Sequence, residues 1–157
     1  MVEMELSGVR VELPTNQPIV LLREKGGERY LPIWIGPSEA ASIAMALQGV
    51  ATPRPMTHDL LKTILDDLAA QVTQIVVTEL RESTFYAVIT LERAGERFEI
   101  SARPSDAMAL AVRMAIPIFA MEEVLDEAAI LIPGEEDDEV EKFREFLDNV
   151  TPEDFAS

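Results

Sequence analysis

Two carboxylates, Glu39 and Asp106, stand at the same place in two copies of one phrase. IWIGPSEAASIAMAL runs from Ile33 to Leu47, and ISARPSDAMALAVRM from Ile100 to Met114. Each reads Ile, three residues, Pro-Ser-acid-Ala, then an Ala-rich apolar run. Pro37 and Pro104 suit the first position of a helix, which places Gly36 and Arg103 at the N-caps and each acid in the first turn. An acid there meets unpaired backbone N–H groups and the positive end of the helix dipole, and Ser38 and Ser105 can bond the same groups. A capped, buried helix therefore accounts for the phrase. The same geometry also supports chemistry. Helix N-termini suit phosphate. Two carboxylates brought together take Mg²⁺ or Mn²⁺, and a metal so held can position a phosphodiester and activate water. Both readings stand at this point.

Three further groups could complete such a site. Arg103 and Arg54 can neutralise phosphate charge. His58 is the one histidine and precedes Asp59 in PRPMTHDLL. A histidine at a helix start serves as general base or metal ligand, or only as a polar group at the helix end. Asp59 is in the same position: a ligand, or an acid suited to the dipole. No Gly-rich phosphate loop, nucleophile elbow or His-x-x-x-His is present. Trp34, Phe85 and Tyr86 fall on predicted strands, where core packing is the expectation and stacking of bases the alternative.

Positioning these groups requires a scaffold. Alternation of apolar and polar residues predicts a strand over Glu3–Leu13, with a bulge at Ser7-Gly8, and strands over Ile19–Arg23 and Arg29–Ile35 joined by Lys25-Gly26-Gly27-Glu28. A helix follows from Pro37 to about Gln48. After the rigid Thr52-Pro53-Arg54-Pro55, Thr57 caps a second helix, His58 to about Ala70. Its apolar face is Leu60, Leu61, Ile64, Leu65 and Leu68. Strands are then predicted over Val72–Leu80, Thr84–Arg93 and Arg97–Ser101, a helix from Pro104 to about Ala115, a short extended Pro117–Ala120 and a short helix Glu122–Ala128. Each half reads as three strands then two helices. The expected class is α+β: an internally duplicated β3-α2 unit forming a mostly antiparallel sheet with helices packed on it, plus a C-terminal amphipathic helix.

Composition narrows the function. The chain of 157 residues is 48% hydrophobic and 27% charged, enough for one domain with a core. No apolar run reaches the ~20 residues that span a bilayer, so no membrane is expected, and MVEMELSGVRVEL does not read as a signal peptide. The absence of cysteine excludes disulfides and thiol catalysis and fits a reducing, cytoplasmic setting. Net charge is −16, which counts against tight, salt-sensitive nucleic-acid binding, since phosphate contact rests on Lys and Arg. Half of that charge lies in the last 23 residues, which hold ten acids and two bases. There a charged linker from Gly134 leads into VEKFREFLDNV, with Val140, Phe143, Phe146, Leu147 and Val150 at helical spacing. This face suits packing on its own domain, a twin subunit or a separate basic partner.

The blocks LPIWIGPSEAASIAMALQG, PRPMTHDLL, FYAVITL and SARPSDAMALAVRMAIPIF, with EEVL after them, resemble the bifunctional nuclease domain family in order and spacing. The resemblance covers roughly Glu3 to Pro133. It divides the chain into a domain at 1–133 and an acidic linker and helix at 134–157. It implies a cytoplasmic α+β domain, nuclease activity on DNA and RNA, and a homo-oligomer. Carried onto this chain, the family's motif acids and polar residues fall on Glu39, His58, Asp59, Arg103, Ser105 and Asp106. Ser101 stands where the family commonly has an acid.

Two functions follow. One is metal-assisted phosphodiester hydrolysis of DNA and RNA. In it Asp106, Glu39, His58 and Asp59 do the chemistry, Arg103, Ser105, Arg54 and Ser38 hold substrate, and Asp106 and Glu39 hold Mg²⁺ or Mn²⁺. The other is a non-catalytic homo-oligomeric interaction or regulatory domain whose acidic tail meets a basic partner. Beside these two stands a small-anion-binding module at the paired helix N-termini.

Overall fold

A computed structural model describes residues 1–12 and 16–131. The linker and amphipathic helix expected over 134–157, the domain boundary at 133, and positions 13–15 lie outside the described residues.

The chain begins as an antiparallel meander of β1 (Val2–Glu12), β2 (Gln17–Glu24) and β3 (Arg29–Trp34). The register of β1 against β2 shifts between Leu6 and Gly8, where the Ser-Gly pair predicted a bulge. Gly8 has φ +154°, a conformation that glycine adopts without a Cβ penalty. Helices α1 (Pro37–Leu47) and α2 (Thr57–Asp67) follow. A second antiparallel meander is β4 (Gln71–Arg81), β5 (Thr84–Arg93) and β6 (Glu96–Ala102). Its two turns put consecutive residues at positive φ, Glu82 and Ser83 in one and Ala94 and Gly95 in the other, the sense that matches strand twist. Then come α3 (Pro104–Met114), β7 (Ile118–Ala120), α4 (Glu122–Ala128) and β8 (Ile130–Leu131).

The eight described strands form one sheet in the order β6-β5-β4-β7-β1-β2-β3-β8. The three-residue β7 joins the meanders, antiparallel to β1 and parallel to β4. The class is α+β and the sheet mostly antiparallel, as expected. In the second half a strand separates the two helices, so α3 and α4 do not follow each other as α1 and α2 do.

The core lies between one sheet face and the helices. Cross-strand partners Leu22 and Leu31, Val20 and Ile33, and Ile75 and Ile89 point into it. α3 is the centre of the helical layer, touching α1, α2, β4 and β5. Pro104, Ser105 and every residue from Ala107 to Ala111 are buried, because alanines let neighbouring backbones come close. α2 departs from expectation. It docks on the line of His58, Leu61 and Leu65, and leaves Leu60, Ile64 and Leu68 about half exposed. It also starts one residue early. Thr57 is its first residue rather than its cap, and the Asp59 carboxylate reaches back to accept the Met56 N–H at 3.1 Å.

Candidate functional site

The doubled phrase puts two helix starts side by side. Gly36 and Arg103 are the N-cap residues of α1 and α3, both extended, with a proline next in each. Arg103 bridges the two acids. Its Nη1 lies 2.9 Å from Glu39 Oε1, and its Nε donates to Asp106 Oδ2 at 2.9 Å. From Asp106 the chain of contacts runs inward. Asp106 Oδ1 is 2.9 Å from His58 Nε2, and His58 Nδ1 is 2.7 Å from Ser42 Oγ. The elements explain the convergence. β3 and β6, which run in opposite directions in the sheet, each lead straight into a helix, α1 and α3, and the start of α2 lays His58 between Ser42 of the first and Asp106 of the second.

Electrostatics orders the cluster. Burial pushes the Asp106 carboxyl up, but the bonds from His58 and Arg103 outweigh it and leave the group below the usual carboxylate range. An ionised carboxylate only accepts, so His58 Nε2 carries the proton between them. In the neutral ring Nδ1 then accepts the Ser42 hydroxyl proton. Both ring nitrogens are thus engaged and the ring is buried. Arg103 is held more firmly protonated, by Asp106 first and then Glu39, yet its side chain is 65% exposed. It is the most exposed member of the set.

A second network lies behind the first. Arg113, at the end of α3, donates from Nε to Asp59 Oδ1 at 2.7 Å, from Nη1 to the Ala109 carbonyl at 2.9 Å and from Nη2 to the Ser42 carbonyl at 3.2 Å. The Arg113 bond, with the Met56 N–H second, holds the Asp59 carboxyl below its ordinary range. One buried guanidinium therefore ties α2 to α1 and α3.

Of the residues read from sequence, Glu39, His58, Arg103 and Asp106 meet directly. Asp59 joins through Arg113, not by contact with the other acids. Ser105 is buried beside the cluster, Ser38 is exposed, and Arg54 stays on the exposed connection before α2. Among the described residues no ion pair brings Arg54 in. Ser42 and Arg113 are missing from the sequence reading. Their partners lie 16 and 54 positions away, and an Ala-rich helix reads as plain packing. The oddity of a serine in one apolar run and an arginine in the other was the available signal.

Ser101 bears on the same cluster. Ile100 and Ala102 line a cavity with His58 and Asp106, so strand alternation turns Ser101 to the other face of the sheet. An acid at that position faces away from Asp106.

Among the described residues no group of three or more His, Asp or Glu is arranged to hold a metal ion. The two carboxylates of the phrase offer hard oxygen donors of the right kind, with the Arg103 guanidinium between them. As arranged, both carboxylates are taken up by that guanidinium.

Arg103 also separates two cavities. One, about 410 Å³, is largely apolar, with His58 and Asp106 at its head and Leu61, Leu65 and Ile100 along it. The other, about 280 Å³, is lined by Trp34, Gly36, Phe85 and Ser105. Trp34 is 50% exposed, whereas core packing was expected for it. Phe85 does pack against the core.

The bifunctional nuclease domain model matches residues 20–133. The chain belongs to the bifunctional nuclease domain family. An uncharacterized protein of Mycobacterium tuberculosis is 49% identical over 99% of this chain and 98% of its own length. Bifunctional nuclease 1 of Arabidopsis thaliana is 31% identical over 68% of this chain and 34% of that protein. Bifunctional nuclease 1 of Oryza sativa subsp. japonica is 28% identical over 66% of this chain. The chain thus matches about a third of each of these two plant proteins. The matched span holds every member of both networks. No described helix is long and apolar enough to cross a membrane.

Proposed function

We propose that this protein is a nuclease that hydrolyses phosphodiesters of DNA and RNA at the Glu39–Arg103–Asp106–His58 cluster. The observation that carries the reading is Arg103, an exposed guanidinium held between the acids of the doubled phrase, in a chain of this family. A substrate phosphate competes with two carboxylates for it. When Arg103 turns to the phosphate, Glu39 and Asp106 are left facing each other. These two residues would hold Mg²⁺ or Mn²⁺, which supplies charge neutralisation and a more acidic bound water. His58 has no free nitrogen, so its part is to fix Asp106 from behind, with Ser42 fixing the ring. Asp59 acts at one remove, by anchoring Arg113. We place this activity in the cytoplasm, in keeping with a chain that has no cysteine.

The test is cleavage of labelled single- and double-stranded DNA and RNA by highly purified protein with Mg²⁺, Mn²⁺ or EDTA. Asp106→Ala is prepared identically and its fold checked by circular dichroism. Metal-dependent cleavage lost in the folded variant supports the reading. Equal cleavage by both proteins, or none by either, overturns it.

A second reading, a homo-oligomeric interaction domain, is favoured by β6. Among the described residues this edge strand is paired only to β5. Phe98 and Ile100 are exposed on its helix side, and Ile100 lines a cavity with Leu61 and Leu65 of α2. A second copy laid antiparallel across a twofold at Phe98 sets each Arg97 opposite the other copy's Glu99. The sheet would then continue through both copies, with the two α2 helices over the seam. Arg97→Glu would place four acids there and give a monomer by light scattering. Unchanged mass would refute the seam. A basic partner for residues 134–157 belongs to this reading, and truncation at Pro133 would abolish its binding.

A further inference from the structure

We infer that the 280 Å³ cavity beside Arg103 is a stacking site for one unpaired nucleobase, with Trp34 as its platform. The inference rests on the nuclease reading for the identity of the occupant, and names what part of it this protein recognises.

Trp34 ends β3 between buried Ile33 and Ile35, yet half its surface meets solvent. It shares the cavity with Phe85, and the cavity wall passes to Gly36 and Arg103, the starts of both helices. Arg103 also bonds Asp106. A base lying on Trp34 therefore leaves its own phosphate next to the guanidinium that guards the acids. The size agrees: about 280 Å³ is at the low end for small-molecule sites, room for one nucleoside rather than a helix turn.

Charge selects stacking over phosphate contact. The chain carries −16, and Arg103 already serves two carboxylates. Arg54 stands outside the cluster. Phosphate neutralisation can then supply little affinity, whereas any base has a π-face that an aromatic ring can hold, for about one to two orders of magnitude in affinity. In a duplex both faces of a base are already stacked, and exposing one costs unpairing. The occupant is thus a base from a single strand, an unpaired end or a free nucleotide. One phosphate contact implies only about a fourfold loss of affinity between about 50 and 300 mM salt.

Trp34 is the one tryptophan of the chain, so all tryptophan fluorescence reports this site. The protein in EDTA is titrated with oligothymidylate, thymidine monophosphate, and a blunt G·C-rich hairpin. Saturable quenching by oligothymidylate, about tenfold weaker with the hairpin and nearly flat in salt, is expected. Quenching by the monophosphate at the same concentration assigns the site to a single nucleotide, and weaker quenching assigns it to a strand; either supports the inference. In the cleavage assay Trp34→Phe keeps KM for single strands, and Trp34→Ala raises it about tenfold with kcat little changed. Quenching without cleavage retains the base site and removes the nuclease reading. Cleavage without quenching, and with wild-type KM in Trp34→Ala, removes the base site alone. Equal quenching by hairpin and single strand, or a steep salt dependence, overturns the inference.

Discussion

Two helices begin with the same four-residue pattern and end in different roles. In α1 the acid, Glu39, has Arg103 as its ion-pair partner. In α3 the acid, Asp106, has Arg103 and His58. The differences trace to single positions. Counting from the prolines, Ser42 of α1 matches Ala109 of α3, and Ala46 matches Arg113. Ser42 turns α1 toward His58. Arg113 gives α3 a cation that reaches α1 and α2, while α1 has no base in its last turn. Burial follows the same divide. α3 is enclosed along its first two turns, whereas α1 buries Ala40, Ser42 and Ile43. A shared phrase thus sets where two helices start. The residues within each run decide which helix becomes the hub.

This contrast can be broken by measurement. The largest effect is expected on activity: Asp106→Ala lowers kcat/KM for single-stranded substrate by about 100-fold or more, and Glu39→Ala by about tenfold. Equal losses would mean that the acids work as an equivalent pair, and the asymmetry would have no functional content. Next comes stability. Arg113→Met leaves Asp59 with only the Met56 N–H and takes the guanidinium from the Ser42 carbonyl, at about 1–2 kcal/mol. Urea unfolding with an unchanged m-value reads this. A shift under about 0.5 kcal/mol would remove Arg113 from the role of helix tie.

The pH dependence is smaller and has a definite sign. Asp106 and Asp59 both titrate below their unfolded value of about 3.9 when folded. The unfolded chain therefore takes up protons first as pH falls. The stability these groups contribute is complete well above pH 4 and is lost as pH drops through their folded values. Asp59→Asn flattens the urea midpoint between about pH 5 and 3 relative to the parent protein; an identical slope in both would deny the coupling to Arg113. The smallest effect belongs to Glu39→Gln, below about 1 kcal/mol, because its partner Arg103 is largely exposed. A larger loss would make Glu39 a structural acid on a par with Asp106.

Much of this frame was legible in the sequence, for local reasons. Prolines fixed the starts of α1 and α3, glycines the β2–β3 and β5–β6 turns, and α4 and β5 carry the ends that their patterns predict. The pairing of Glu39 with Asp106 was legible because the phrase was repeated. Non-local contacts were not. Pro117–Ala120 reads as extended and Ile118–Ala120 is a strand, but nothing in IFA says that it joins two meanders, since three apolar residues carry no period. The exposure of Leu60, Ile64 and Leu68 was hidden because amphipathicity counts apolar residues but does not say which of them a neighbour reaches. Arg103 was expected to meet phosphate. Its position between the acids depends on two helix starts that lie 67 residues apart in sequence.

β7 has a consequence for how the chain is made. It pairs at three positions with β1 and at three with β4, and β1 and β4 have no pairing of their own. A ribosome that has released residues 1–102 has supplied both meanders complete, yet no hydrogen-bonded link between them. That link waits for Ile118–Ala120, which must find β1 more than a hundred residues back, a slow closure. Until then the edges of β1 and β4 are open to other chains, and the interval between synthesis of Ala102 and Ala120 is when this protein is most exposed to mispairing.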